Sequence, residues 1–137
     1  MPADVYDYAV VRVVPRVERG EFVNAGIVLS SQTARYLRAC IALDEARLLA
    51  MDPDVDLAAV RRHLAALQAV CAADPHAGPI AKLPPRARFH WLTAQRSSMI
   101  QVSPTHTGKS ENLDATLAHL ISTLVCTPAA RRRPGNR

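Results

Sequence analysis

Residues 96–109 read Arg-Ser-Ser-Met-Ile-Gln-Val-Ser-Pro-Thr-His-Thr-Gly-Lys, and they gather the side chains best suited to chemistry. The stretch holds six hydroxyl or imidazole groups, two cations, one glycine and no acid. Such a set suits an anion. Arg96 offers a bidentate fork, Ser97, Ser103, Thr105 and Thr107 bring hydroxyls, Lys109 adds charge, and Gly108 lets the backbone come close. The spacing does not match the phosphate-binding loop, whose first glycine is missing. His106 is the candidate catalytic residue, as acid or base, because an imidazole titrates near neutral pH. No carboxylate neighbours it in sequence, so Asp7 or Asp44 would have to reach it through the fold. The same residues also fit a surface strand and loop whose Ser and Thr satisfy their own backbone.

Arg12 and Asn24 form a second cluster. A guanidinium and an amide inside otherwise apolar runs must be satisfied. Either they bond each other across a hairpin or they face an anionic ligand together. Elsewhere the signals for chemistry are absent. His63, His76, His90 and His119 show no HxH or HExxH spacing, and Cys40, Cys71 and Cys126 are odd in number and far apart. No metal site, disulfide framework or cofactor follows from them. Ser97 and Ser98 lack the Gly-x-Ser-x-Gly elbow of hydrolases. Asp52, Asp54 and Asp56 precede Leu57 instead of the Gly and distal Glu of a calcium loop. With no complete catalytic constellation, an independent enzyme is not the expectation.

These residues need a scaffold. Residues 5–14 are rich in Val and Tyr and stop at Pro15, which predicts a strand. Residues 16–20 are a hairpin loop. Residues 22–29 make a second strand, in which Gly26 suggests a bulge or a close backbone approach. A five-residue loop puts Pro15 opposite Glu21, Arg12 opposite Asn24 and Val10 opposite Gly26. Residues 36–43 alternate, with Leu37, Ala39, Ile41 and Leu43 on one face, giving a third strand. Asp44 and Glu45 open a short helix that ends before Pro53. Over residues 56–73, Leu57, Val60, Leu64, Leu67 and Cys71 make one apolar stripe on a long helix capped by Asp54 or Asp56. Residues 86–93 form a short helix opened by Pro84 and Pro85 and buried through Phe89 and Leu92. A strand over 98–103 and a polar loop over 104–110 follow. Asn112 then caps a last helix with Leu113, Leu117, Leu120, Ile121 and Leu124 inward. The expected class is therefore α+β, a two-layer domain. Its mainly antiparallel sheet has about four strands, three of them in an N-terminal meander, packed by two long helices and one or two short ones.

Composition bounds the function. The chain has 137 residues, 49% hydrophobic and 21% charged, enough for one domain over residues 1–128 with a single core. No stretch approaches the roughly 18 apolar residues of a membrane helix. Residues 1–4 lack the basic start of a secretory signal, so a cytoplasmic protein is expected. The net charge of +5 is uneven: residues 1–74 sum to −2, residues 75–130 to +3 and the last seven to +4. Residues 129–137 are expected to be a disordered Arg-rich tail, either solvated or touching phosphates without sequence preference. Aromatic residues are 4% of the chain, too few for a row of stacking side chains, so specific nucleic-acid binding is not expected.

Five segments carry a resemblance: Tyr-Asp-Tyr-Ala-Val-Val-Arg-Val-Val-Pro at 6–15, Glu-Phe-Val-Asn-Ala-Gly-Ile-Val-Leu at 21–29, Leu-Asp-Glu-Ala-Arg-Leu-Leu at 43–49, Phe-His-Trp-Leu-Thr-Ala at 89–94 with Arg96 and Ser97, and Ser-Pro-Thr-His-Thr-Gly at 103–108. Together they resemble the bacterial family filed as domain of unknown function 3037 (DUF3037), over residues 4–125. The resemblance implies no assigned activity. It implies a small accessory or regulatory subunit that binds a protein partner, a kinase-like protein similar to the HipA toxin and encoded nearby. Its motifs take in both clusters, which implies that Arg12, Asn24, Arg96, Ser97, Ser103, His106 and Thr107 share a ligand or partner surface. The alternatives are an enzyme or binding module for a phosphate-bearing small molecule, with Arg96 and Lys109 on the anion, and a weak nucleic-acid contact through the tail.

Overall fold

The computed structural model describes residues 2–94 and 98–128. Arg96, Ser97 and the Arg-rich residues 129–137 lie outside them. The order begins with β1 (Asp4–Val13), β2 (Val23–Ser31) and β3 (Tyr36–Ile41), then α1 (Glu45–Met51), α2 (Leu57–Cys71) and α3 (Pro85–Leu92). It closes with β4 (Ile100–Val102), β5 (His106–Ser110) and α4 (Leu113–Leu120), which runs into a π-helical turn at Ile121–Val125. The helix starts follow from their caps. The side chains of Asp44, Asp56 and Asn112 accept the backbone N–H of Arg47, Ala59 and Ala115, which satisfies donors the first helical turn leaves free.

The chain is α+β, with every strand pair antiparallel. β3, β2 and β1 run side by side, and the far edge of β1 is shared by β4 and β5. β4 pairs with Val11–Val13, and β5 pairs with the opposite end of β1, from Asp4↔Ser110 to Tyr8↔His106. Residues 106–110, expected within a polar loop, are thus a fifth strand. Between the two, Ser103 keeps the ladder intact. Its N–H donates to the Val10 carbonyl at 2.9 Å, and its hydroxyl accepts the Val10 N–H at 2.8 Å.

Arg12 does face Asn24, but Val10 faces Ile27 and Gly26 faces Val11. The register slips by one because Ala25 is an extra residue, a β-bulge. Gly26 beside it meets the close approach its type suggested: a Cβ there would lie 2.6 Å from the Cys40 carbonyl oxygen.

Both faces of the sheet are covered. Ala9, Val11, Val13, Val23 and Val28 pack with Leu48 of α1, Val60 and Leu64 of α2, and Phe89 of α3. Val10, Ile27 and Leu29 pack on the other side with Leu113 and Leu120 of α4 and with Val125. Where two layers were expected, α4 adds a helical layer on the second face. The buried Arg88 guanidinium joins the first layer together by donating to the carbonyls of Leu83 at 2.8 Å and Cys71 at 3.4 Å. The second contact sets a cation against the negative end of α2. Among the described residues no helix is long and apolar enough to cross a membrane.

Candidate functional site

β1 positions the site, because its residues alternate between two covered faces. Tyr6, Tyr8, Val10 and Arg12 lie on the α4 side, and Asp7, Ala9, Val11 and Val13 lie on the other.

On the α4 side, Arg12 pairs with Asn24 of β2 and Gln101 of β4. The Arg12 guanidinium stacks over the Phe22 ring, 4.2 Å from its centroid, in a cation–π contact. Asn24 Nδ2 donates to the Leu124 carbonyl at 3.0 Å, tying the end of the π-helical turn to the sheet. The two side chains do not bond each other. Arg12 Nε and Asn24 Oδ1 are both buried without a hydrogen-bond partner among the described residues. Phe22, under the guanidinium, and Leu124, whose carbonyl takes the amide, are 40% and 37% exposed.

The opposite side holds a closed polar network. Thr107 Oγ1 donates to Asp7 Oδ1 at 2.6 Å, and Arg86 Nη2 to Asp7 Oδ2 at 2.6 Å. Arg86 Nη1 also reaches Ser30 Oγ at 3.1 Å, while its plane lies over the Phe89 ring. The Thr107 hydroxyl does most to hold the Asp7 carboxyl below its usual range; burial pushes it back up, and Arg86 adds to the lowering. A carboxylate fixed in this way ties α3 and β5 to β1. It is too well satisfied to act as a base.

The remaining candidates separate. His106 is exposed at the edge, its ring centroid 5.2 Å from that of Tyr8. Neither carboxylate considered for it arrives: Asp7 is engaged on the other face, and Asp44 caps α1. Ser103, 2% exposed, spends its hydroxyl on Val10 N–H and the Pro104 carbonyl. Thr105 is exposed between β4 and β5. Lys109 pairs with Val5 and shares the Asp7 face with Thr107. Arg12, Asn24 and His106 therefore share one face and Thr107 and Lys109 the other, with Ser103 internal. His106 lies opposite Tyr8, four residues and about 13 Å along β1 from Arg12.

Three contributors escaped the sequence reading. Arg86 was one cation in a basic stretch, Phe22 the first residue of a strand, and Leu124 a core position. Alternation from Asn24 was the available signal for Phe22, since residues 22 and 24 of one strand share a face. A cleft of about 690 Å³ lies between the β1–β2 connection and α1, but four of its six charged residues pair with each other, Arg16 with Asp52 at 3.2 Å and Arg19 with Glu21. Among the described residues no three His, Cys, Asp or Glu are grouped to hold a metal ion.

No curated protein and no solved structure gives a significant match to the chain. One family model does, over residues 8–125, a span that runs from within β1 to the end of the π-helical turn and takes in Arg12, Phe22, Asn24 and Leu124. The chain belongs to the family described as Protein of unknown function (DUF3037).

Proposed function

We propose that this chain is a small accessory protein that binds a protein partner through the surface of Arg12, Phe22, Asn24 and Leu124. One observation carries the reading: an arginine stacked on an exposed aromatic ring, beside an exposed leucine, with no ion pair of its own among the described residues. Arginine and aromatic side chains are the types enriched where interfaces concentrate binding energy. A partner that covers Phe22 and offers a carboxylate to Arg12 gains from both. The separation of His106, Lys109 and Thr107 into two groups supports binding over catalysis. The partner class, a kinase-like protein similar to HipA and encoded nearby, rests on the family resemblance alone.

Co-elution of the two purified proteins in size-exclusion chromatography at micromolar concentration tests the reading. A complex is expected with the native chain and its loss with Arg12→Glu. Separate elution of two pure, folded proteins overturns it.

A further inference from the structure

A second cavity, of about 340 Å³, opens where the β2–β3 turn meets the start of α3. It is lined by Ser31, Gln32, Arg35, Pro84, Pro85 and Arg86: two guanidinium groups, a hydroxyl and an amide, with no acid. One of the two cations is prearranged. Arg86 is held by Ser30 and Asp7, so its plane is set before any ligand arrives. The other is free. Arginines 16, 19, 38, 61 and 86 are ion-paired, whereas the Arg35 side chain, like those of Arg12, Arg47 and Arg62, makes no hydrogen bond or ion pair among the described residues. Arg35 also sits at φ +50°, a conformation that costs a residue with a Cβ roughly 1–2 kcal/mol. The turn itself gains nothing from an arginine there.

The helix adds a third feature. α3 begins at Pro84 and Pro85, and Pro84 supplies no side-chain cap. Pro85 has no N–H and the Arg88 N–H bonds the Pro84 carbonyl, so the helix start offers the N–H groups of Arg86 and Ala87 and the positive end of its dipole.

We propose that this cavity binds the phosphate or sulfate group of a small molecule between Arg35 and Arg86, at the uncapped start of α3. A tetrahedral oxyanion can take the unpaired Arg35 fork together with the Arg86 N–H groups left beyond its bonds to Ser30 and Asp7. The volume leaves room for an organic portion beyond the anion. The site stands apart from the Arg12 surface: it lies at the Asp7 end of β1, beside the β2–β3 turn, and it does not depend on a protein partner.

Isothermal titration calorimetry at fixed ionic strength tests this, with inorganic phosphate, glucose 6-phosphate and sodium chloride as titrants. Phosphate is expected to bind the native chain, and Arg35→Ala is expected to weaken it by about tenfold or more, the loss of one charge-assisted contact. Arg12→Ala is expected to leave it unchanged, which separates this site from the partner surface. Tighter binding of glucose 6-phosphate than of phosphate assigns the cavity to a phosphate ester, and equal binding assigns it to the free ion. Heat from phosphate no greater than from chloride overturns the proposal, as does undiminished phosphate binding by Arg35→Ala.

Discussion

Arg12 and Asn24 face each other across β1 and β2, a donor opposite an acceptor, and yet each turns away to a different partner. The guanidinium goes to the Phe22 ring and the amide to the Leu124 carbonyl. The pair thus links the β1–β2 connection, the sheet and the end of α4 in one surface. Its geometry makes the two residues separable by mutation. Asn24→Ala is expected to lose the tie to Leu124 and to lower stability by about 1 kcal/mol, the net worth of one hydrogen bond. Arg12→Ala is expected to change stability by less, since its contact lies on an exposed ring. Chemical denaturation of both variants measures the difference, and a costlier Arg12→Ala would contradict it.

The Asp7 network predicts an acid limb. Its carboxyl has a folded pKa below the ordinary value, through Thr107 first and Arg86 next, so its stabilisation is present above the unfolded pKa. It is lost as pH falls from about 4 through the depressed folded value. Asp7→Asn is expected to lower stability near pH 7 by about 1–3 kcal/mol and to flatten the decline below pH 4. Denaturation midpoints across pH 2–7 decide; an Asp7→Asn curve parallel to the native one below pH 4 would remove Asp7 from the account.

Gly108 lies under Tyr6, and a Cβ there would come 2.6 Å from the ring carbon bearing the hydroxyl. The obstacle is the far end of a side chain that can swing aside, whereas at Gly26 it is the Cys40 carbonyl of the neighbouring strand. Gly26→Ala is therefore expected to cost about 1–3 kcal/mol and Gly108→Ala less. Combining Gly108→Ala with Tyr6→Ala is expected to be less damaging than the sum of the two, a coupling read from a double-mutant cycle. Additive losses would show that the ring and the glycine do not interact.

Cys71 is buried at the end of α2, and burial pushes its thiol up to about 11 despite the nearby Arg88. Iodoacetamide at pH 8 is expected to label Cys126 and Cys40 before Cys71, by peptide mass spectrometry. Equal labelling rates would mean that this side of the core opens readily.

Much of the frame was legible. Asp44, Asp56 and Asn112 announce their helices because a short side-chain oxygen before an apolar stripe has one common use. The misses have physical causes. His106–Ser110 carries no apolar alternation, because an edge strand with few buried side chains needs none. The one-residue slip at Ala25 hides in a run that looks uniformly apolar. Leu124 continues the helical spacing on paper, but the π-helical turn adds a residue to the last turn and passes the inward position to Val125. The second helical layer was written in the consecutive apolar residues Ala9–Val11 of β1 and Ile27–Leu29 of β2, which mark stretches buried on both faces. For the candidate site, the Arg12–Asn24 pairing could be read from loop length, while the stacking of Arg12 on Phe22 required the fold.

The affinity of the native chain and of Arg12→Ala for a purified kinase-like protein of the proposed partner class, by isothermal titration calorimetry, bears most directly on the proposed partner surface. Arg61→Ala, on the exposed side of α2, serves as the control. The expected result is a native Kd in the micromolar range or tighter, unchanged by Arg61→Ala and weakened at least about tenfold by Arg12→Ala, a loss of 1.4 kcal/mol or more. No heat with the native chain, or equal affinity for the native and Arg12→Ala proteins, would contradict the assignment of this surface to a partner.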